Sequence, residues 1–324
     1  MDYLFLFIGL GLLLLGANYL VDSSVAIAQR ARISNFIIGL TIVGMGTSSP
    51  ELFVSLKSAL AGNGDIAMGN VVGSNICNVL LILGVSATIL PFAIDREQRR
   101  RDIPVCIAAS LLLLFLANDT LIPGISENTL SRLDGGFFLL CFLVYMGYVI
   151  LNKGRDPKQA LAEADEQSQS SLAGRNVWLL WGIAIVSLAA LIFGGNLFLN
   201  AAKNLACAWG MSDAVIAITI VAVGTSLPEL ITSVIAAVKH NPQLALGNVI
   251  GSNLFNILFI LGISSLVKPL QLQSINMVDY IVMVVSAIMV YMVVLTFKRN
   301  KFDRIEGIIF LAAYIGYTVY LLMR

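Results

Sequence analysis

One pattern occurs twice in this chain and limits what it can fold into: Gly46-Thr47-Ser48-Ser49-Pro50-Glu51 and Gly224-Thr225-Ser226-Leu227-Pro228-Glu229. Each copy sits inside a long apolar segment. A proline there cannot donate to the carbonyl four residues before it, so each copy predicts an interrupted helix with freed carbonyls beside two hydroxyls and a carboxylate. Glu51 and Glu229 are separated by 229 − 51 = 178 positions, and the same offset places Asn70 on Asn248, Ser74 on Ser252, Asn78 on Asn256 and Asn18 on Asn196. From Gly39 to Gly84, 24 of 46 ungapped positions are identical at that offset, which is duplication and not shared composition.

Of 324 residues, 58% are hydrophobic and only 12% charged, against about 25% charged in soluble domains. An all-α integral membrane protein follows. Apolar stretches, most of them of about the 20 residues that cross a bilayer or longer, lie at about 2–21, 33–61, 66–92, 103–117, 133–151, 177–202, 212–238, 244–267, 277–297 and 305–323. That predicts ten transmembrane helices as two five-helix repeats, 1–151 and 177–324, joined by a polar linker at 152–176. A cleaved signal peptide is the competing reading of the first stretch; Asp2, with no Lys or Arg before the apolar run, argues against it.

Five spans per repeat is odd, so the second repeat enters the membrane from the opposite side and the repeats are inverted. With both termini outside, only Lys57, Arg132, Lys203, Lys268 and Arg324 face out, and 15 of the 20 Lys and Arg, including Arg99, Arg100, Arg101 and Lys158, face the cytoplasm. That bias sets the orientation and makes the linker cytoplasmic.

Inverted repeats place their chemistry at mid-membrane, where broken helices meet. Helical spacing puts Thr47, Glu51 and Ser55 on one face, and Thr225, Glu229 and Ser233 on another. Asn70, Ser74 and Asn78, with Asn248, Ser252 and Asn256, form two more. The four faces are satisfied together only by facing one another. Oxygen donors with carboxylates, without thiolate or imidazole, suit a hard cation and not zinc or copper. Plainer readings exist for each group: Glu residues snorkelling to an interface, Ser and Thr hydroxyls bonding i−4 carbonyls, Asn and Ser joining helices, and Gly69, Gly73, Gly247 and Gly251 allowing close packing. Two symmetric mid-membrane carboxylates without function are hard to justify, since each costs at least about 2.5 kcal/mol to insert. Cys77, Cys106, Cys141 and Cys207 have no C-x-x-C spacing and read as packing residues. The net charge of +1, with no long basic tract, gives no case for nucleic acid. No Walker A motif is present, the lone His240 lies in a loop, and an enzyme is not expected.

The doubled Gly-Thr-Ser-x-Pro-Glu, each followed by Gly-Asn-Val-x-Gly-Ser-Asn-x-x-Asn, resembles the sodium/calcium exchangers of the cation/calcium exchanger superfamily, in particular their compact prokaryotic members. The resemblance covers all ten expected spans. It implies an inner-membrane antiporter that exchanges sodium for calcium by alternating access, three sodium ions per calcium, electrogenic, with calcium and sodium as cargo and no cofactor. It implies Glu51 and Glu229 as central carboxylates, and Thr47, Ser48, Thr225 and Ser226 as hydroxyl or carbonyl ligands. Gly44 and Ala222 would supply backbone carbonyls to sodium, Ser74 and Ser252 outer ligands, Asn78 and Asn256 the remaining central pair. Many relatives carry Asp where this chain has Asn256, so the site's total charge and any potassium dependence stay open. A cation/proton antiporter is the alternative, and a passive channel, which needs an open path and usually a ring of subunits, is further away. The duplication is complete in one chain, so a monomer is the expected working unit.

Overall fold

The computed structural model describes residues 1–324 except 122–126, 153–169, 173, 212–221, 274, 294 and 296–300. Most of the linker and the start of the seventh expected span therefore lie outside the described residues. The remainder is helical: α1 (Asp2–Ala31), α2 (Asn35–Thr47), α3 (Ser49–Ala61), α4 (Gly64–Ile89), α5 (Ile103–Leu116), α6 (Arg132–Asn152), α7 (Val177–Ala208), the short α8 (Ala222–Gly224), α9 (Leu227–Val238), α10 (Pro242–Val267), α11 (Met277–Val293) and α12 (Arg304–Met323). Among the described residues, six of these are long and apolar enough to cross a membrane, seven if the bent pair α2–α3 counts as one span. α9 and α11 are shorter apolar helices.

Local chemistry sets the ends. Ser34 caps α2 by accepting from the Ile37 N–H, Asn176 caps α7 through the Trp178 N–H, and Asp303 with Glu306 forms a capping box on α12, each satisfying N–H groups that have no helical partner. α3 ends on Gly62 in the left-handed region at φ 84°, where glycine carries no Cβ penalty. His240, at the equivalent place after α9, adopts φ 60°.

Several boundaries differ from those read in the sequence. The first helix runs ten residues past Val21, because Asp22, Ser23 and Ser24 are buried and the first two are bonded: the Asp22 carboxylate accepts from Lys239 Nζ at 2.6 Å and from Ser171 Oγ at 2.7 Å, and Ser23 Oγ donates to the Tyr19 carbonyl at 2.7 Å. The charged loop before the fourth span holds a π-helical turn, Gln98–Asp102. The loop after it contributes a short strand, β2 (Asn128–Leu130). Cys207 is exposed at the end of α7 and is not a packing residue; Cys77 and Cys106 are buried, Cys141 is half-buried, and all four are free thiols.

Two small antiparallel sheets tie the parts together. β1 (Phe92–Ala93) pairs with β4 (Lys301–Phe302), and β2 with β3 (Leu270–Leu272). Each joins the segment after one repeat's third span to a loop of the other repeat. Helices follow suit: α6 packs on the C-terminal part of α10, and α12 on the C-terminal part of α4. One end of the molecule gathers Gln98 bonded to Gln243, Gln243 bonded to the Ala93 carbonyl, Asn35 bonded to Asn241, and Arg30 bonded to the Arg175 carbonyl. The other gathers Asp2 with Asn204, Asp65 with the Gln273 N–H, and Lys268 with the Leu60 carbonyl.

α1 and α7 are antiparallel and touch along their lengths. A Cβ on Gly9 would meet the Phe198 backbone, one on Gly16 the Ser187 carbonyl, and one on Gly194 the Gly9 carbonyl, so glycine permits backbone-to-backbone contact there.

Candidate cation site between two broken helices

The doubled Pro-Glu pattern does break its helices. α2 and α3 meet at Ser48 with a 46° bend. Ser48 has φ −82° and ψ 10°, and Ser226, between α8 and α9, has φ −86° and ψ 10°, so the two breaks share one local geometry. Pro50 and Pro228 follow within the first turn, where their missing N–H costs nothing. Glu51 and Glu229 come next, each 1% exposed.

The two repeats complete each other's carboxylates. Ser48 Oγ donates to Glu229 Oε1 at 2.8 Å, and Ser226 Oγ donates to Glu51 Oε1 at 3.4 Å. The second oxygen of each carboxylate, Glu51 Oε2 and Glu229 Oε2, is buried with no hydrogen-bond partner among the described residues. So are Asn78 Oδ1 and Asn256 Oδ1. An orphaned buried acceptor costs about 1–3 kcal/mol, more when charged. All four are acceptors and all lie at repeat-equivalent positions, a pattern a bound cation satisfies and packing alone does not. Among the described residues there is no group of three or more His, Cys, Asp or Glu, so the donor set is two carboxylates with neutral oxygens.

The polar faces on α4 and α10 serve two purposes. Asn70 and Asn248 act as buttresses: Asn70 Nδ2 donates to the Glu51 carbonyl at 3.3 Å and to Ser55 Oγ at 3.0 Å, and Asn248 Nδ2 to the Glu229 carbonyl at 3.3 Å and Ser233 Oγ at 2.9 Å. Asn78 and Asn256 sit where both helices widen into π-helical segments, Cys77–Leu83 and Phe255–Ile260, a distortion common at functional sites. Ser74 is buried close to Glu51, and Ser252 Oγ donates to the Gly44 carbonyl at 3.2 Å.

Several expected ligands also take part in bonds within the protein. Thr47 Oγ1 donates across the repeats to Asn248 Oδ1 at 3.2 Å, with the i−3 carbonyl of Gly44 at 3.4 Å, and not to an i−4 carbonyl. The Gly44 carbonyl also accepts from the Ser48 N–H at 3.2 Å. Thr225 is half-buried at the edge of a cavity, and Ala222 is helical, four residues before the break at Ser226. Sequence reasoning passed over Asn75 and Asn253. They belong to the Gly-Ser-Asn-x-x-Asn pattern but fall one position off the i, i+4 face that singled out Ser74 and Asn78; the structure puts both at the centre.

A cavity of about 770 Å³ leads from this cluster to one end of the molecule. Pro50, Asn70, Gly73, Thr225 and Pro228 line its inner part, and Asp279 and Leu321 its outer part. The equivalent route in the other direction is packed shut. Gly247 and Gly251 lie against the backbone of Phe36 and Leu40, whereas Gly73 has nothing within 4 Å of its Cβ position among the described residues.

Long apolar helices around a buried set of acceptor oxygens, reached from one face, define a multi-pass membrane protein of the ion-transporting kind. The family model described as sodium/calcium exchanger protein matches residues 1–151 and 179–323, and the chain belongs to that family. It is 37% identical over 321 residues to the putative antiporter CaxA of Alkalimonas amylolytica, covering 97% of this chain and 96% of that one. It is 32% identical to the sodium/calcium exchanger MaX1 of Methanosarcina acetivorans, covering 99% and 98%. A structure of the sodium-calcium exchanger NCX_Mj, soaked with sodium and calcium, superposes with TM-score 0.81 at 33% identity, covering 98% of this chain and 97% of that one.

Proposed function

We propose that this chain exchanges sodium for calcium across the inner membrane by alternating access, with Glu51, Glu229, Asn78 and Asn256 at the centre of one site that the two ions share. The buried acceptor oxygens of Glu51, Glu229, Asn78 and Asn256, unpaired among the described residues and equivalent between the repeats, carry the reading. Two carboxylates balance one calcium or two sodium ions, so the two loads compete for the same oxygens and cannot be held together. Ser48 and Ser226 orient the carboxylates; Ser74, Ser252, Thr47, Thr225 and the carbonyls of Gly44 and Ala222 complete the surround as sodium or calcium moves through. A third sodium, which the family resemblance implies, leaves the loaded site about one charge more positive, and exchange then responds to membrane potential at about 2.3 kcal/mol per charge per 100 mV.

The architecture behind this reading is ten spans in two inverted repeats, 1–151 and 177–324, with 152–176 as a cytoplasmic linker and both termini outside. Support comes from the antiparallel run of α1 against its sequence equivalent α7, and from the matched breaks at Ser48 and Ser226. The segments holding Arg30, Arg99 and Lys239 collect at one end of the molecule, and a basic end faces the cytoplasm. The cavity then opens outward and the packed route, at Gly247 and Gly251, lies inward. Opening it requires α2 to leave α10, as alternating access between inverted repeats demands.

Calcium uptake into sodium-loaded proteoliposomes tests the function, repeated with potassium, lithium and proton gradients. Uptake driven by sodium alone supports the reading. Uptake driven by a proton gradient in its absence makes the chain a cation/proton antiporter, and calcium flux without any counter-ion makes it a channel.

A further inference from the structure

Asn75 and Asn253 face each other where α4 and α10 cross, and each donates its side-chain amide to the other's backbone carbonyl at 3.3 Å. Their side-chain oxygens are also occupied. Asn256 Nδ2 donates to Asn75 Oδ1 at 3.0 Å, and Asn78 Nδ2 donates to Asn253 Oδ1 at 3.0 Å. All four asparagines are buried, at 3% exposure or less.

The order of these bonds fixes the direction of every amide. A backbone carbonyl only accepts, so the group that Asn75 turns toward the Asn253 carbonyl has to be its NH₂. Its Oδ1 is thereby committed to the other side, where it meets Asn256. An oxygen there accepts only a donor, so Asn256 has to present Nδ2 and turn Oδ1 away. The mirror-image chain runs from the Asn75 carbonyl through Asn253 to Asn78. Both end on Asn78 Oδ1 and Asn256 Oδ1, the buried carboxamide oxygens that have no partner among the described residues.

We propose that Asn75 and Asn253 are positioning residues for ion binding: they lock the Asn256 and Asn78 carboxamides with oxygen, and not nitrogen, toward the cation. A carboxamide rotated by 180° would present NH₂ to a cation, replacing attraction with repulsion, while its volume and packing are unchanged. The lock is crossed, since Asn75 of the first repeat sets Asn256 of the second and Asn253 sets Asn78, so the two repeats determine each other's ligand direction. The cargo is the same hard cation as in the function proposed above, calcium or sodium, and the inference rests on that reading of the site.

A carboxylate has two equivalent oxygens and cannot be presented the wrong way round, which supplies the test. Calcium binding to the purified full-length protein in sodium-free buffer is measured for Asn75→Ala, Asn256→Asp and the double variant. Asn75→Ala is expected to raise the half-saturating calcium about tenfold with the number of sites unchanged, and to raise it less than threefold when Asn256→Asp is already present. Combined with Asn78→Asp, which it does not touch, Asn75→Ala should keep its full tenfold effect. Should Asn75→Ala not yield a folded protein, Asn253→Ala cycled against Asn78→Asp reads the mirror-image lock by itself. An equal effect of Asn75→Ala in the parent, Asn256→Asp and Asn78→Asp backgrounds overturns the positioning role and leaves the cation site standing. A parent protein that binds no calcium overturns the site, and this inference with it.

Discussion

Ser48, at the break in the first repeat, holds the Glu229 carboxylate of the second at 2.8 Å, and Ser226 returns the contact to Glu51 at 3.4 Å. The shorter bond is the stronger, and a hydrogen bond to a charged group contributes about 1.5–3 kcal/mol. Ser48→Ala should therefore raise the half-saturating calcium by about tenfold or more, and Ser226→Ala by less. Concentration-dependent uptake in proteoliposomes measures both; equal effects would mean that the two contacts become alike once an ion is bound.

Glu51→Gln and Glu229→Gln each remove half the formal charge of the site without changing its size. Each should lower calcium transport at least a hundredfold while the protein still inserts and elutes as a folded species. Gln also brings an NH₂ donor to an oxygen position, so loss of charge and loss of an acceptor act together. Transport near the parent rate in either variant would remove that residue from the centre.

Much of this site could be read in the chain before any coordinates. Pro50 and Pro228 announce helix breaks, and Glu51 and Glu229 are too costly to bury without a purpose. The 178-residue offset pairs every central residue with its partner. Other features were hidden for physical reasons. Asp22, Ser23 and Ser24 look like the end of a span, yet α1 continues because Lys239 and Ser171, far away in sequence, satisfy Asp22. Asn75 and Asn253 fall off the polar face of an ideal helix, and only the crossing of α4 with α10 makes them central. The open and closed routes follow from neither repeat alone: Gly69-Asn70-Val71 and Gly247-Asn248-Val249 are the same residues, one beside a cavity and one packed.

That asymmetry has a measurable consequence. A Cβ at Gly251 runs into the Leu40 carbonyl, while at Gly73 it meets nothing within 4 Å among the described residues. Overpacking of this kind costs about 1–3 kcal/mol. Gly251→Ala should lower the melting temperature of the purified protein by several degrees, and Gly73→Ala should leave it within a degree of the parent. Similar losses from both would mean that the protein spends comparable time with either route packed.

Orientation is tested with single cysteines at Asn128, beside β3 at the end where the cavity opens, and at Gln159 in the linker, in a background lacking Cys77, Cys106, Cys141 and Cys207. An impermeant thiol reagent added to intact cells should label position 128 and miss position 159. Labelling of both from outside would place the two on one side of the membrane and remove the inverted arrangement.

The central claim, that sodium and calcium occupy the same oxygens, is tested most directly by calcium binding to the purified protein over a series of sodium concentrations. Two or more sodium ions displacing one calcium from Glu51 and Glu229 predict that half-saturating calcium rises with more than the first power of sodium, with the number of calcium sites constant, and that Glu51→Gln abolishes the calcium binding. A half-saturating calcium concentration that does not move with sodium would show that the two ions bind apart, and would contradict the account.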